Sequence, residues 1–174
     1  MHLSDLMQNK GLVFASDRSE RRIQTLKRRL ARAGVFNCQM SVMDPLEDPR
    51  IKHRFDGILV DAPCSGFGTW ARNPHARWTT TRADVDELAG IQQRLLEVAC
   101  KFLKPGGRLV YSVCTMTEAE TEGVCDKMES RVPELEPCAF GNPFRSEDLG
   151  KARLFLWPEI TRGGGMFIAS WRKR

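Results

Sequence analysis

Short apolar runs alternate with segments of helical periodicity along this chain of 174 residues, and this alternation restricts the folds that it can adopt. The apolar runs predict four strands, near residues 12–16, 38–42, 56–60 and 108–113. Helices are predicted over about 19–33, 84–102 and 117–131. Strands joined through helices favour a parallel sheet with helices on both faces. The sequence therefore predicts a doubly wound α/β fold.

The C-terminal part of the chain departs from this alternation. Two strands are predicted near residues 153–157 and 166–171, separated by Gly163, Gly164 and Gly165. Consecutive strands with a short connection favour an antiparallel strand pair at the edge of the sheet. The residues between 133 and 150 have an irregular, polar pattern. We expect a single domain over residues 1–174, because a chain of this length can bury a substantial core.

Three connecting segments carry local signals. Residues 62–81 contain glycine and proline and are predicted to form a long loop, which in a compact domain is typical of a functional segment. The sequence KPGG (residues 104–107) is predicted to end the long helix, with a strand from Arg108. The sequence TEAE (residues 117–120) has the pattern of a capping box and predicts the start of the next helix.

Two of the predicted strands end on a cysteine. One leads into DAPCSG (residues 61–66) and the other ends in YSVCT (residues 111–115). Residues just past the carboxyl ends of strands line the ligand crevice of an open α/β sheet. If the two strands are neighbours, Asp61, Cys64 and Cys114 face one pocket. A thiol there can add covalently to a substrate, and the second thiol can act as acid, base or resolving group.

Composition indicates which kinds of partner the protein can bind and in which cellular compartment it is expected. The net charge of +5 and the pI near 9.0 fit an anionic partner. We expect no metal site, because the six cysteines contain no CxxC pair and the three histidines are scattered. With no secretory signal and no apolar run long enough for a bilayer, we expect a cytoplasmic protein with reduced thiols. Cys38 and Cys100 are expected to be buried apolar residues.

With these residues in view, the chain resembles the Sun/Nop (RsmB-like) family of S-adenosylmethionine-dependent RNA cytosine-5 methyltransferases. DAPCSG paired with the later Tyr-Ser-x-Cys-Thr strand end is the specific part of the likeness. Weaker matches are ASD (residues 15–17), Asp44, the loop over 66–74, KPGG and MFIA (residues 166–169). The resemblance implies a class I methyltransferase (Rossmann-like) fold and RNA, in particular ribosomal RNA, as partner.

The resemblance also assigns roles in the reaction. It implies that Cys114 is the nucleophile, that Cys64 promotes product release, and that Asp61 lies between the cofactor and the target base. Addition of a thiolate at C6 makes cytosine C5 nucleophilic enough to take a methyl group. The Cys114 thiol must be activated, and we expect the dipole of the helix near Thr117 to help. The alternative is that both cysteines are structural core thiols.

The cofactor implied by the resemblance is S-adenosyl-L-methionine, with Asp17, Arg22, Asp44 and Asp61 as its candidate binding residues. Asp17 ends a predicted strand, the place where nucleotide-binding α/β folds put an acid on ribose hydroxyls. Its alternative role is to cap the following helix. The Asp44-Pro45 pair is also an ordinary turn signal.

Aromatic and basic residues alternate in the loop after Cys64, as in segments that hold unstacked RNA bases. Arg72 is the preferred RNA contact, together with Trp70 and Arg77. The alternative for Trp70 or Trp78 is that it anchors the loop onto the core. Arginines and lysines also crowd the helix predicted over 19–33, either as a phosphate-binding surface or as an ordinary solvated face.

Methyltransferases of the family that the chain resembles begin with a central strand and a glycine-rich loop, and neither is found in this sequence. We therefore expect an N-terminally truncated domain, or a start placed at an internal methionine, with weak cofactor binding. One alternative function is a non-catalytic fragment with residual RNA binding. Another is a DNA cytosine-5 methyltransferase, in which the Pro-Cys cysteine is the nucleophile; its expected Glu-Asn-Val-like segment is absent from the sequence.

Overall fold

The computed structural model describes residues 1–42, 54–142, 144 and 150–174, which fall into two compact units, Met1–Ile51 and Lys52–Arg174. The first unit contains helix α1 (His2–Leu6), strand β1 (Val13–Asp17), helix α2 (Glu20–Arg32) and strand β2 (Cys38–Val42). Strands β1 and β2 pair in parallel, with Asp17 opposite Val42. This order and orientation are those predicted from the apolar runs.

Helix α2 has clear local reasons for its position and orientation. The hydroxyl of Ser19 caps its N-terminus by accepting a hydrogen bond from the backbone N–H of Arg22 at 3.4 Å. Ile23 and Leu30, seven residues apart, are its buried residues. Gly34 follows the helix with a φ of 65°, a left-handed conformation that glycine adopts without strain.

The second unit contains a five-stranded sheet. Its strands are β3 (Phe55–Asp61), β4 (Leu103–Val113), β5 (Leu135–Pro137), β6 (Arg153–Leu156) and β7 (Met166–Lys173). Its helices are α3 (Pro74–Thr79), α4 (Arg82–Phe102), α5 (Glu122–Arg131) and α6 (Pro158–Thr161), with 3₁₀ turns at Phe67–Thr69 and Glu118–Glu120. The strand order is β3-β4-β7-β5, and β6 also pairs with β7.

Strand orientations in this unit follow the predicted pattern. Strands β3 and β4 are parallel, whereas β7 is antiparallel to β4, β5 and β6. The predicted α/β class with an antiparallel C-terminal strand pair is confirmed. Among the described helices, none combines the length and apolar character needed to cross a membrane.

The core lies between the sheet and the helices α4 and α5. Its largest fully buried side chains include Leu96, Leu103, Tyr111, Phe167 and Trp171. These residues come from α4, β4 and β7 and form one apolar cluster. Of the two cysteines expected to be buried, Cys100 belongs to this cluster, whereas Cys38 in β2 is only half-buried.

Three local predictions of secondary structure are wrong. Helix α4 ends at Phe102, before the KPGG segment, as predicted, but β4 begins at Leu103 rather than Arg108, and Lys104 to Gly107 are an irregularity within it, because Phe55 of β3 pairs with Leu103 and Gly57 pairs with Arg108. The predicted loop over 62–81 contains α3 and a 3₁₀ turn. The polar segment after residue 133 contributes β5, which pairs with the C-terminal end of β7. In each case, pairing or packing with distant residues decides the structure.

Gly90 gives a test of how α4 is built. It lies inside this helix, and a Cβ placed on it would meet only the tip of Arg94, at 4.0 Å. We expect Gly90→Ala to stabilise the protein by about 0.5–1 kcal/mol, because glycine loses more backbone entropy than alanine in a helix. Urea unfolding measures the change, and a destabilised variant would show that a Cβ at this position meets more than the Arg94 side chain.

Candidate active site

The carboxyl ends of β3 and β4 meet at one edge of the sheet. Asp61 is opposite Ser112 in the parallel register, and the Ala62 N–H donates to the Ser112 carbonyl at 3.2 Å. The two cysteines that follow these strands are thereby brought together, with 3.4 Å between Cys64 Sγ and Cys114 Sγ. Both thiols are half-buried and neither forms a disulfide. This is the juxtaposition that the two strand-end motifs predict.

Backbone contacts of Gly68 fix the loop after Cys64. The Gly68 N–H donates to the Cys114 carbonyl at 3.0 Å, and the Gly68 carbonyl accepts from the Gly165 N–H at 2.7 Å. A Cβ on Gly68 would lie 2.2 Å from the Gly165 oxygen, so a side chain cannot be accommodated without moving backbone. The loop is therefore held between the end of β4 and the glycines before β7.

The two thiols have opposite electrostatic environments. The hydrogen bond from Cys64 lowers the pKa of Cys114, while burial, Asp61 and Glu120 act in the opposite direction. The same hydrogen bond, together with burial, raises the pKa of Cys64, which is the more deeply buried thiol. The environment therefore favours the thiolate form at Cys114 and the protonated form at Cys64.

The expected helix dipole contributes little to this activation. Helix α5 begins only at Glu122, eight positions after Cys114, and is preceded by a 3₁₀ turn. The dipole effect falls off within about the first turn of a helix. The largest cause of the lowered Cys114 pKa is instead the Cys64 thiol, which sequence analysis had assigned only to product release.

Removing the Cys64 thiol should raise the pKa of Cys114. Alkylation by iodoacetamide follows the thiolate fraction, so at pH 7 we expect Cys64→Ala to slow alkylation of Cys114 by about three- to tenfold. Cys64→Ser keeps a donor and is expected to retain most of the rate. Peptide mass spectrometry across pH 5–9 measures both, and an unchanged Cys64→Ala profile would contradict this assignment.

A buried carboxylate, Glu120, is the site residue that sequence analysis missed. It is fully buried, and its Oε1 accepts hydrogen bonds from the Ser65 N–H at 2.8 Å and from Gln92 Nε2 at 3.1 Å. Its Oε2 accepts from the hydroxyls of Ser65, Thr115 and Thr117 at 2.6, 3.0 and 2.8 Å. These are five hydrogen bonds to one side chain.

The capping-box interpretation of this segment is wrong. Thr117 does precede Glu120 by the right spacing, but the Glu120 carboxylate points inward, and the Thr117 hydroxyl donates to it. Thr117 N–H instead lies 3.4 Å from the Thr115 hydroxyl. The hydrogen bonds to Glu120 leave little signal in the sequence. Their donors include Ser65, Gln92 and Thr115, which are far apart along the chain.

The candidate cofactor residues fall in different places. Asp61 ends β3 beside the thiols, is exposed, and accepts no side-chain hydrogen bond from the described residues. Asp17 ends β1 in the other unit, where it accepts hydrogen bonds from the Ser19 N–H at 2.7 Å and from Arg22 at 3.4 Å. Arg22 is thus paired with Asp17. Asp44 lies outside the described residues.

The candidate RNA-binding residues differ in their exposure and in their contacts with the rest of the protein. Trp70 packs against Phe67, with 4.6 Å between ring centroids, and its indole N–H donates to the Ser65 carbonyl at 3.4 Å. This contact supports the anchoring alternative for Trp70. Arg72 and Arg77 are exposed. Trp78, which sequence analysis did not select as an RNA contact, is 81% exposed and lies beneath the Arg77 guanidinium.

The chain is similar to known proteins both in sequence and in fold. A sequence model of the family described as 16S rRNA methyltransferase RsmB/F matches residues 1–172. The ribosomal RNA small subunit methyltransferase F of Shewanella piezotolerans is 35% identical, and the match covers 98% of this chain and 37% of that protein. The protein of the same name from Shewanella denitrificans is 36% identical, with 98% and 35% covered.

Two solved structures are similar over 99% of this chain. A methyltransferase homolog protein from Pyrococcus horikoshii is 34% identical with a TM-score of 0.82, and 57% of its chain is covered. The structure of NSun6 from Pyrococcus horikoshii with SFG is 30% identical with a TM-score of 0.83, and 44% of its chain is covered. The predicted class I methyltransferase fold is confirmed. The chain spans little more than a third of the two Shewanella relatives.

Proposed function

Because the chain belongs to the 16S rRNA methyltransferase RsmB/F family, we propose that it methylates C5 of a cytosine in ribosomal RNA through a covalent adduct on Cys114. The observation that carries this proposal is the pair of thiols 3.4 Å apart at the ends of two parallel strands. One thiol is poised to ionise and its neighbour to hold the proton. Covalent catalysis on a pyrimidine ring can use this division of tasks.

The residues have the following tasks in the proposed reaction. The Cys114 thiolate forms a bond to cytosine C6, and the electron pair of the C5–C6 double bond becomes available at C5. After C5 has been methylated, its proton leaves, the C5–C6 double bond re-forms and the Cys114–C6 bond breaks. Asp61, exposed beside the thiols, accepts a hydrogen bond from the cytosine amino group and orients the ring.

The pKa of Cys64 changes as this reaction proceeds. In the free protein, its proton is held by the hydrogen bond to the Cys114 thiolate. Once Cys114 is bonded to C6, that acceptor is no longer charged, and the pKa of Cys64 falls towards that of an ordinary thiol. Cys64, which is only partly buried, can then give its proton to water and, as a thiolate, accept the C5 proton. This is the basis for its proposed role in product release.

S-adenosylmethionine is the proposed cofactor, and when bound it supplies an electrophilic methyl group. Asp17 in the first unit and Asp61 in the second are separate candidates for binding such a group, because within its own unit each places a carboxylate at the carboxyl end of a parallel strand. Asp17 keeps lone pairs for ribose hydroxyls beyond those used by Ser19 and Arg22. The task of Arg22 is then to orient Asp17 rather than to bind the cofactor directly. Asp44 remains a candidate from the resemblance alone.

RNA is the proposed partner, and the loop between Cys64 and α4 is its proposed contact surface. Arg72 and Arg77 are exposed cations on this loop and can neutralise phosphates. Trp78 offers an exposed indole face of the kind on which unpaired bases stack. Trp70, named from the sequence, would act mainly by fixing the loop. The net charge of +5 favours the same partner.

The proposal is tested by the chemical position of the transferred methyl group. The protein is incubated with methyl-labelled S-adenosylmethionine and small-subunit ribosomal RNA, and the nucleosides are then separated by liquid chromatography and mass spectrometry. We expect the label in 5-methylcytidine. Label in a different nucleoside would overturn the cytosine-5 assignment, and label transferred to DNA in preference to RNA would favour the DNA methyltransferase alternative.

A further inference from the structure

Glu120 takes no part in the proposed proton and methyl transfers, yet it contacts both loops that carry the reacting thiols. Ser65 directly follows Cys64, and its N–H and hydroxyl both donate to the Glu120 carboxylate. Thr115 directly follows Cys114, and its hydroxyl donates to the same carboxylate. One buried side chain therefore joins two segments that are 50 residues apart in sequence.

We propose that Glu120 is a positioning residue that sets the distance between Cys64 Sγ and Cys114 Sγ. Two further hydrogen bonds hold Glu120 itself or continue its network. The Tyr111 hydroxyl donates to its backbone carbonyl at 2.7 Å, and Gln92 Nε2 bridges its carboxylate and the Pro63 carbonyl. The Ser65 and Thr115 hydroxyls are also within 2.9 Å of each other. The carboxylate is thus rigidly placed and can impose its geometry on both loops.

Electrostatics gives no reason for a carboxylate at this position. The negative charge of Glu120 raises the pKa of Cys114 and so opposes formation of the nucleophile. Asp61 acts in the same direction, and Cys64 is the group facing Cys114 that lowers its pKa. No Lys or Arg among the described residues forms an ion pair with Glu120. What the carboxylate provides is a fixed hydrogen-bonding centre for five partner groups.

Two conservative variants separate geometry from charge. Glu120→Gln keeps the length of the side chain and can accept from the two N–H donors while its amide donates to the hydroxyls, but it removes the charge. Glu120→Asp keeps the charge but withdraws the carboxylate by one methylene. Glu118→Gln, at an exposed position in the same 3₁₀ turn, is the control.

The first measurement is the pH profile of Cys114 alkylation by iodoacetamide, followed by peptide mass spectrometry. If Glu120 positions the thiols, Glu120→Gln lowers the pKa of Cys114, because a repelling charge is lost and the Cys64 hydrogen bond remains. Glu120→Asp raises it, because the Cys64 hydrogen bond is weakened. A purely electrostatic role would leave the Glu120→Asp profile unchanged, and a role only in stability would move neither profile. Either result would overturn the proposal.

The second measurement reports the distance between the sulfurs directly. Diamide oxidises two adjacent thiols to a disulfide, and its azo group takes up the two electrons and two protons. We expect Glu120→Asp to slow formation of the Cys64–Cys114 disulfide by about tenfold or more, and Glu120→Gln to retain the wild-type rate within about twofold. Equal rates in Glu120→Asp and in the Glu118→Gln control would contradict the proposal.

The catalytic meaning of this inference rests on the proposed function, but its test does not. Both readouts use the thiols of the chain itself, without RNA or cofactor. If the opposite pKa shifts are found and no cytosine is methylated, Glu120 positions the thiols and the proposed function is wrong. If methylation is found and the two variants behave alike, the function stands and the inference about Glu120 is wrong.

Discussion

Replacing Cys114 by alanine is expected to abolish both methylation and any covalent protein–RNA adduct. No atom then remains to add to cytosine C6, and the loss of a nucleophile that acts covalently reduces turnover by at least about 10³-fold. Cys64→Ala should behave differently. Its Cys114 loses the hydrogen bond that favours the thiolate, so addition slows, but proton removal from C5 slows further and the adduct accumulates.

Denaturing gel electrophoresis with labelled RNA distinguishes these outcomes. A protein–RNA species that survives denaturation should appear with Cys64→Ala and be absent with Cys114→Ala. Cys100→Ala is the matched control, because Cys100 is a buried core thiol outside the site, and it should behave as the wild type. An adduct that persists in Cys114→Ala would reverse the two roles and favour the mechanism of the DNA enzymes.

The second large effect is expected from Gly68→Ala. The added Cβ would lie 2.2 Å from the Gly165 carbonyl oxygen and 2.6 Å from its carbon. Either the loop that contains Gly68 or the backbone at Gly165, just before β7, must therefore move. Overpacking of this kind costs about 1–3 kcal/mol in the free energy of unfolding. Because Gly68 also bonds the Cys114 carbonyl, displacement of the loop should lower methyl transfer by about 10²-fold.

Gly57→Ala is the control for this prediction. A Cβ on Gly57 in β3 meets only the Arg108 carbonyl oxygen, at 3.8 Å, which is an ordinary contact. We expect its unfolding midpoint in urea and its activity to stay close to those of the wild type. A Gly68→Ala variant with normal stability and normal transfer would mean that the loop tolerates displacement and does not hold the thiols in place.

The placement of the candidate site residues could be predicted from short sequence patterns because it depends on where strands end. Asp61, Cys64 and Cys114 each follow a short apolar run, and the parallel pairing of β3 and β4 places such residues at one edge. The likeness to a methyltransferase family pointed to the same residues. The helix α2 was also predictable, since Ser19 and Gly34 mark its ends locally.

What could not be predicted depends on contacts between distant parts of the chain. Glu120 satisfies the local rule for a capping box, but its partner Ser65 is 55 residues away and gives no local signal. The KPGG segment contains helix-breaking residues, yet it lies within β4, because the residues on either side of it, Leu103 and Arg108, both pair with β3. The lowered pKa of Cys114 likewise comes from Cys64, which only the folded chain places beside it.

The identity of the cysteine bonded to the RNA base tests the central claim most directly. The wild-type protein is incubated with S-adenosylmethionine and ribosomal RNA containing 5-fluorocytidine, whose C5 carries no proton to lose, so that the adduct is trapped. Trypsin separates the two thiols into peptides 55–72 and 109–127, and fragmentation distinguishes Cys114 from Cys125 in the second. We predict the nucleotide on Cys114. A nucleotide bonded to Cys64 would contradict the account.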